Sequence, residues 1–447
     1  MTLRPAATAP RPYRFPDVVR HQLPNGLGVW LVPLGDRELV SVHLLTDAGA
    51  ATEDEAQAGV AALTAQLLVT GTRRLDAAAF AETTERLGID VGSESSWDSA
   101  RAGFSALGQH LEAGLDLLAE MLTEPRLDEG EFDRLKAERL NDILQARAEP
   151  GRLADERFLG EVYAEGVPYA RLSAGPPETV EPLTIGDVRA FHASRYAPNV
   201  ADVIIAGAFE PDAALAAVER RLGAWSGSGP GHRTIRTAQR GGRRVVLVDR
   251  PGSVQSELRV GHLGIDRQDP RYFPAMVMTA LLGGVFGSRL NKRLREELGY
   301  TYGARCSLDP RRAVGPFIAS AAVQTEVTVD AVRELLGQLE RIRDAPPGAE
   351  ELAEVRDYLV GVFPLRFETT AGIAAAIEPL AVYDLPDEWW HAYRSRLEAV
   401  TPDEVHAVAR ELVRPDEALI LVVGDASSIG DDLDGAGFGP REVVGEA

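Results

Sequence analysis

Residues 184–207 read TIGDVRAFHASRYAPNVADVIIAG, and residues 401–424 read TPDEVHAVARELVRPDEALILVVG. Each opens on a threonine with an acidic residue three places on, the pattern of a capping box, in which side chains at a helix start satisfy each other's backbone N–H groups. Each continues with helical spacing, meets a proline that stops it, and ends in an apolar run closed by glycine. A second pair, ERLGIDVG at 85–92 and EELGYTYG at 296–303, matches in the same order. Each of these follows a helical run and precedes a polar, strand-like stretch. Two matches at nearly one offset mark a duplicated chain, and the duplication decides the fold before any single element does.

The join between the copies is visible. Residues 224–244, AWSGSGPGHRTIRTAQRGGRR, are rich in glycine, serine and arginine and poor in apolar residues, a linker composition. The first domain is placed at 15–223 and the second at 245–425, with an acidic, glycine-rich tail at 426–447 expected to be loosely held. Strands come first in each half: 27–34 and 39–49, then 243–249 and 256–264. Amphipathic helices follow, such as Ala56–Thr70, Ala77–Leu87 and Leu111–Leu122. Neighbouring strands and helices in blocks predict an α+β fold of two homologous domains, each a mostly antiparallel sheet covered by helices, facing each other across a cleft.

Bulk properties narrow the function. The 447 residues carry a formal net charge of −21, which would repel nucleic acid and anionic membranes. No stretch is apolar enough for a membrane span, and the proline-broken start lacks a signal-peptide core, so a cytoplasmic location is expected. Cys306 is the single cysteine, which excludes an internal disulfide and a thiolate metal cluster. The eight histidines include no pair at helix or strand ligand spacing.

The chain resembles the insulinase/pitrilysin family of zinc peptidases, in particular its two-domain processing-peptidase subunits. The resemblance is carried by LPNGLGVWLVP (23–33), GTRRLDAAAFAETTERLGIDVGSESSWD (71–98), VPYARLSAGPPETVEPLTIGDVRAFHASRYAPN (167–199) and VDRPGSVQSELRVG (248–261). Active members have an inverted motif, H-x-x-E-H, on a helix just before a glycine-threonine turn. Histidines four apart lie on one helical face and can both reach zinc, while the glutamate activates the bound water. Counting back from Gly71 and Thr72, the matching residues are Ala62, Leu63, Thr64, Ala65 and Gln66. Ala62 offers no lone pair, Ala65 cannot take a proton, and the neutral amide of Gln66 is a poor zinc ligand beside imidazole. The family's third ligand, a downstream glutamate, falls around Asp142–Gln145 and is aligned with Gln145. The resemblance therefore implies no metal or catalytic residue in this chain.

The second half keeps something. In FGSRLNKRLREELGYTYGA, from Phe286, the resemblance maps a substrate-holding arginine and tyrosine onto Arg295 and Tyr302. The aligned first-half positions are Thr84 and Val91, so only one half has the pair. A helix from about Ser288 to Leu298, capped by Gly299, followed by a strand carrying Tyr302, would set both donors beside a peptide. The implied role is that of a catalytically inactive subunit of a heterodimeric zinc metalloendopeptidase. A homologous partner with H-x-x-E-H would bring the zinc, and this chain would bind peptide and close the chamber. The alternative is a scaffold of the same fold with no part in proteolysis. Lesser features have plainer readings: Gly283–Gly287 as a close turn rather than a phosphate loop, Trp389 and Trp390 as core, and Cys306 as a small strand residue. Arg289 is expected to support Arg295 or bridge to the partner.

Overall fold

The computed structural model describes residues 11–35 and 37–445. Two six-stranded sheets carry the molecule. Sheet 1 is formed by β1 (Val19–Gln22), β2 (Gly28–Pro33), β3 (Leu39–Thr46), β4 (Asp90–Ser95), β5 (Ala100–Leu107) and β6 (Ala201–Gly207), in the order β1-β2-β6-β3-β5-β4. Sheet 2 is formed by β7 (Arg244–Asp249), β8 (Gln255–Leu263), β9 (Ala304–Leu308), β10 (Pro316–Gln324), β11 (Leu419–Gly424) and β12 (Arg441–Val444), in the order β12-β7-β11-β8-β10-β9. Five strands of each sheet, β2-β6-β3-β5-β4 and β7-β11-β8-β10-β9, follow one plan. β6 lies parallel to β2 and antiparallel to β3, and β11 lies parallel to β7 and antiparallel to β8. The α+β architecture of two homologous, mostly antiparallel domains is thus observed.

The repeat that revealed this plan forms as read. Thr184 and Asp187 close a capping box on helix Ile185–Arg195, and Thr401 and Glu404 close its counterpart on helix Pro402–Leu412. Each helix then runs into the central strand, β6 or β11. Side chains on these strands alternate between two apolar clusters. In β6, Val203 and Ile205 point to one cluster, and Ile204 and Ala206 to the other. That period of two is what a strand buried on both faces requires.

The second face of each sheet is covered by the other half. Helix Thr370–Val382 packs on β3 and β6 of sheet 1, and helix Pro150–Val162 packs on β8 and β11 of sheet 2. The exchange is symmetric down to single residues. His43 faces Ile204 in sheet 1, and Arg259 faces Leu421 at the equivalent place in sheet 2. Each takes a carboxylate from the incoming helix: His43 from Glu378 at 2.6 Å, and Arg259 from Asp155 at 2.6 Å. The halves are interlocked rather than merely apposed.

One sequence expectation changes. The tail is folded: helix Ala426–Gly435 and β12 close sheet 2, with Arg441 held by both oxygens of Asp434 at 2.7 Å. An acidic composition hid a parallel strand pairing that depends on β7. The linker is also anchored, since Ala164 N–H donates to Ala238 and Arg240 N–H donates to Val162. No single described helix is long and apolar enough to cross a membrane. Residues Ala349–Phe367 and Thr370–Val382 pass together only as a pair bent by 113°.

Candidate functional site

The positions that the resemblance aligns with the zinc motif lie on helix Val60–Leu68, which starts after Gly59 at φ 104 and is shorter than the expected Ala56–Thr70. A separate 3-10 turn, Glu55–Gln57, takes up the first residues. Ala62 and Gln66 share a face four residues apart; Ala62 and Ala65 are buried, and Gln66 is exposed. Helix Glu129–Ala148 packs against this one, with Ile143 fully buried and Gln145 exposed. Asp142, near the aligned position, is committed to Arg139 and Arg152. Two methyl groups and two amides do not fit zinc. Among the described residues, no three His, Cys, Asp or Glu side chains group so as to hold a metal ion.

The histidines disperse to separate partners. His43 meets Glu378, His232 meets Asp47, His192 bonds the Leu122 carbonyl, and His406 bonds the Arg343 carbonyl. His262 is fully buried: its Nδ1–H donates to Leu263 O, and its Nε2 accepts from Arg414 N–H. Burial drives its pKa down to about 4, so it stays neutral as a structural residue.

The second-half segment departs from regular helix. Helix Tyr272–Thr279 continues as a π-helical turn, Ala280–Gly284, and Asn291–Glu297 is π-helical as well. Such turns are rare and cluster at functional places. Gly299 closes the second one with φ 67, as Gly88 does with φ 61 after Ala77–Leu87. The closing bonds differ. Ile89 N–H reaches Thr84 O, whereas Tyr300 N–H reaches one residue further back, to Leu294 O. The expected α-helix is therefore widened by an inserted residue, and Tyr302 lies in the loop before β9, not on the strand.

Glycines permit this packing. A Cβ on Gly283 would stand 2.1 Å from the backbone nitrogen of Cys306, so the turn lies directly on β9. That close approach explains the glycine run without a phosphate. Cys306 itself is buried on β9, and burial raises its thiol pKa, so it is no nucleophile. Trp389 and Trp390 are core: Trp389 packs with Tyr272 and Phe273, and Trp390 with Phe15, Phe363 and Phe367.

Within the segment the arginines divide. Arg289 makes a two-pronged contact with Glu351 at 2.7 and 2.8 Å; burial raises the Glu351 pKa, but the guanidinium outweighs it and holds it low. Arg293 is held by Glu334 and Glu297. Arg295 pairs with no carboxylate among the described residues, and its guanidinium lies 4.4 Å from the ring centre of Phe286, itself 68% exposed. Tyr302 is 96% exposed. A half-buried cation stacked on an exposed ring and a phenol in water are free to donate hydrogen bonds. β9, just beyond them, is the edge strand of sheet 2, as β4 is of sheet 1.

A family model described as insulinase (peptidase family M16) matches residues 35–171, and one described as the peptidase M16 inactive domain matches residues 182–359. An uncharacterized zinc protease of Streptomyces coelicolor is 24% identical, over 90% of this chain and 89% of that protein. A non-peptidase homolog, YmxG, of Helicobacter pylori is 24% identical, over 76% of this chain and 77% of its own length. A crystal structure of a peptidase M16 inactive domain from Pseudomonas fluorescens superposes with a TM-score of 0.86 at 26% identity, covering 91% of this chain and 98% of that one. A chain of Complex III2 from Candida albicans has the same fold, with a TM-score of 0.80 at 16% identity, covering 95% of this chain and 100% of that one.

Proposed function

The chain belongs to the insulinase-like M16 peptidase family and is a non-catalytic member of it, and from that premise we propose that it completes a heterodimeric zinc metalloendopeptidase. The partner is a homologous subunit whose H-x-x-E-H helix holds the zinc. This chain binds and orients the peptide and closes the chamber. The reading is carried by Arg295 and Tyr302, two outward donors without partners of their own beside the open edge β9. An unpaired edge invites another strand, and an extended peptide laid there gains main-chain hydrogen bonds. The guanidinium and the phenol then donate to peptide carbonyls near the bond to be cut. Donors aimed at developing negative charge are what amide hydrolysis rewards.

The test mixes this chain with an H-x-x-E-H homologue from the same cell and follows cleavage of unfolded peptides. Arg295→Ala and Tyr302→Phe should each lower kcat/KM by about tenfold to a hundredfold, with the heterodimer intact by gel filtration. Turnover unchanged in both variants would make the chain a scaffold. Cleavage by the chain alone with zinc, as fast as by the mixture, would remove the need for a partner.

A further inference from the structure

Strand β9 pairs on one side only, with β10, and its residues turn their main-chain groups alternately inward and outward. Asp309 N–H donates to Pro316 O at 3.0 Å, so the groups of Asp309, and of Ser307 and Arg305 behind it, turn toward β10. Those of Ala304, Cys306 and Leu308 turn to the open side. Ala304 N–H is already taken there, by Asn291 Oδ1 at 3.0 Å, so an added strand finds its partners beyond it.

The side chains alternate as well. Ala304 and Cys306 are buried, whereas Arg305 and Ser307 are exposed on the opposite face. A peptide residue laid opposite Arg305 by antiparallel pairing makes no main-chain bond with it. In that arrangement facing side chains stand closest, with Cβ atoms about 4.5–5.5 Å apart. Arg305 therefore meets a peptide side chain rather than the peptide backbone.

Its charge is unanswered. The row through Arg305 runs to Ser320 on β10 and on to Arg259 on β8. Arg259 is neutralised by Asp155 at 2.6 Å and Glu257 at 2.9 Å. On β4, the matching edge of sheet 1, the exposed Glu94 accepts from Arg101 at 2.6 Å. Arg305 pairs with no carboxylate among the described residues, and neither does Arg295. A chain with a net charge of −21 thus leaves two guanidiniums without carboxylates in the segment that forms this edge.

We propose that Arg305 sets the substrate class: the peptide laid on β9 carries an aspartate or glutamate opposite this guanidinium. The proposal rests on the reading that β9 takes the peptide. A carboxylate there gains charge-assisted hydrogen bonds from a planar fork of donors, and a lysine or arginine is repelled. Because the contact is to a side chain and not to the amide being cut, it governs binding more than turnover.

Fluorescence anisotropy tests this on the full chain, alone and in the heterodimer with the H-x-x-E-H homologue. The probes are labelled, unfolded peptides of one neutral sequence with a single Glu, Gln or Lys moved along it. At one position Glu should bind about fivefold more tightly than Gln, and Lys more weakly than either. Arg305→Glu should put Lys ahead of Glu, and Arg305→Gln, which drops the charge without reversing it, should level the order. In cleavage assays both substitutions should act on KM more than on kcat. No preference for Glu at any position, no saturable binding of any peptide, or an order unchanged in both variants would overturn the proposal. An Arg305-dependent order without any cleavage would uphold the charge selection and sink the peptidase reading alone. Turnover that depends on Arg295 with no charge preference would do the reverse.

Discussion

Glu53 is 2% exposed ahead of helix Val60–Leu68, and its Oε1 accepts from the N–H groups of Gly59 and Ala61 at 3.0 and 2.8 Å. Its Oε2 has no partner. Burial pushes the carboxyl up to about 7, against those two bonds and the charge of Arg171. A raised carboxyl pKa means that the folded state holds the proton where the unfolded chain has lost it. Stability therefore falls as pH rises from about 4.5 to about 7 and levels off above, by up to about 3 kcal/mol from this group. Glu53→Gln removes the titration but keeps an acceptor for the helix start. Its stability relative to wild type, from urea unfolding, should climb by up to that amount between pH 5 and pH 8. A flat difference across that range would refute the assignment. Glu53 escaped sequence reading because a missing partner is a tertiary fact. The helix that carries Ala62, Ala65 and Gln66 was legible because helical spacing is a local property, and the resemblance alone singled out those positions on it.

Among the elements, the two exchanged helices bear the most weight and left the least trace in the sequence. Nothing local in residues 150–162 says that helix Pro150–Val162 covers the sheet of the other half. The same holds for the widened turn around Arg295, where a regular helix from about Ser288 to Leu298 was expected and Asn291–Glu297 is π-helical. Strands β2, β3, β7 and β8 were read within a few residues, because alternation and glycine ends depend on the strand alone. Phe158 shows what the exchange contributes. It is fully buried with Leu153, Val162, Val246 and Leu421, and its ring lies over Gly261 of β8. Phe158→Ala leaves a cavity in a contact formed only between halves, and should cost about 3–5 kcal/mol in chemical denaturation. A loss under 1 kcal/mol would mean that the helix is not docked there.

For the whole molecule, duplication predicts two like domains, and the helix exchange makes them one folding unit. Severed at the linker, the first half would keep its own helices but lose Thr370–Val382 from sheet 1. Trp30, Val32, Leu45, Ile204 and Ala206, all buried against the second half, would then face water, and Ser41 and His43 would lose Thr370 and Glu378. A sheet stripped on one face presents a contiguous apolar patch, which promotes aggregation rather than an independent fold. Residues 1–223 expressed alone should therefore be insoluble or molten, whereas the same segment co-expressed with 224–447 should recover a soluble, noncovalent pair. The intact chain should unfold in a single thermal transition despite its 447 residues, because neither core is complete without the other. Two resolved transitions by calorimetry, or a cooperatively folded first half on its own, would show the halves to be separable.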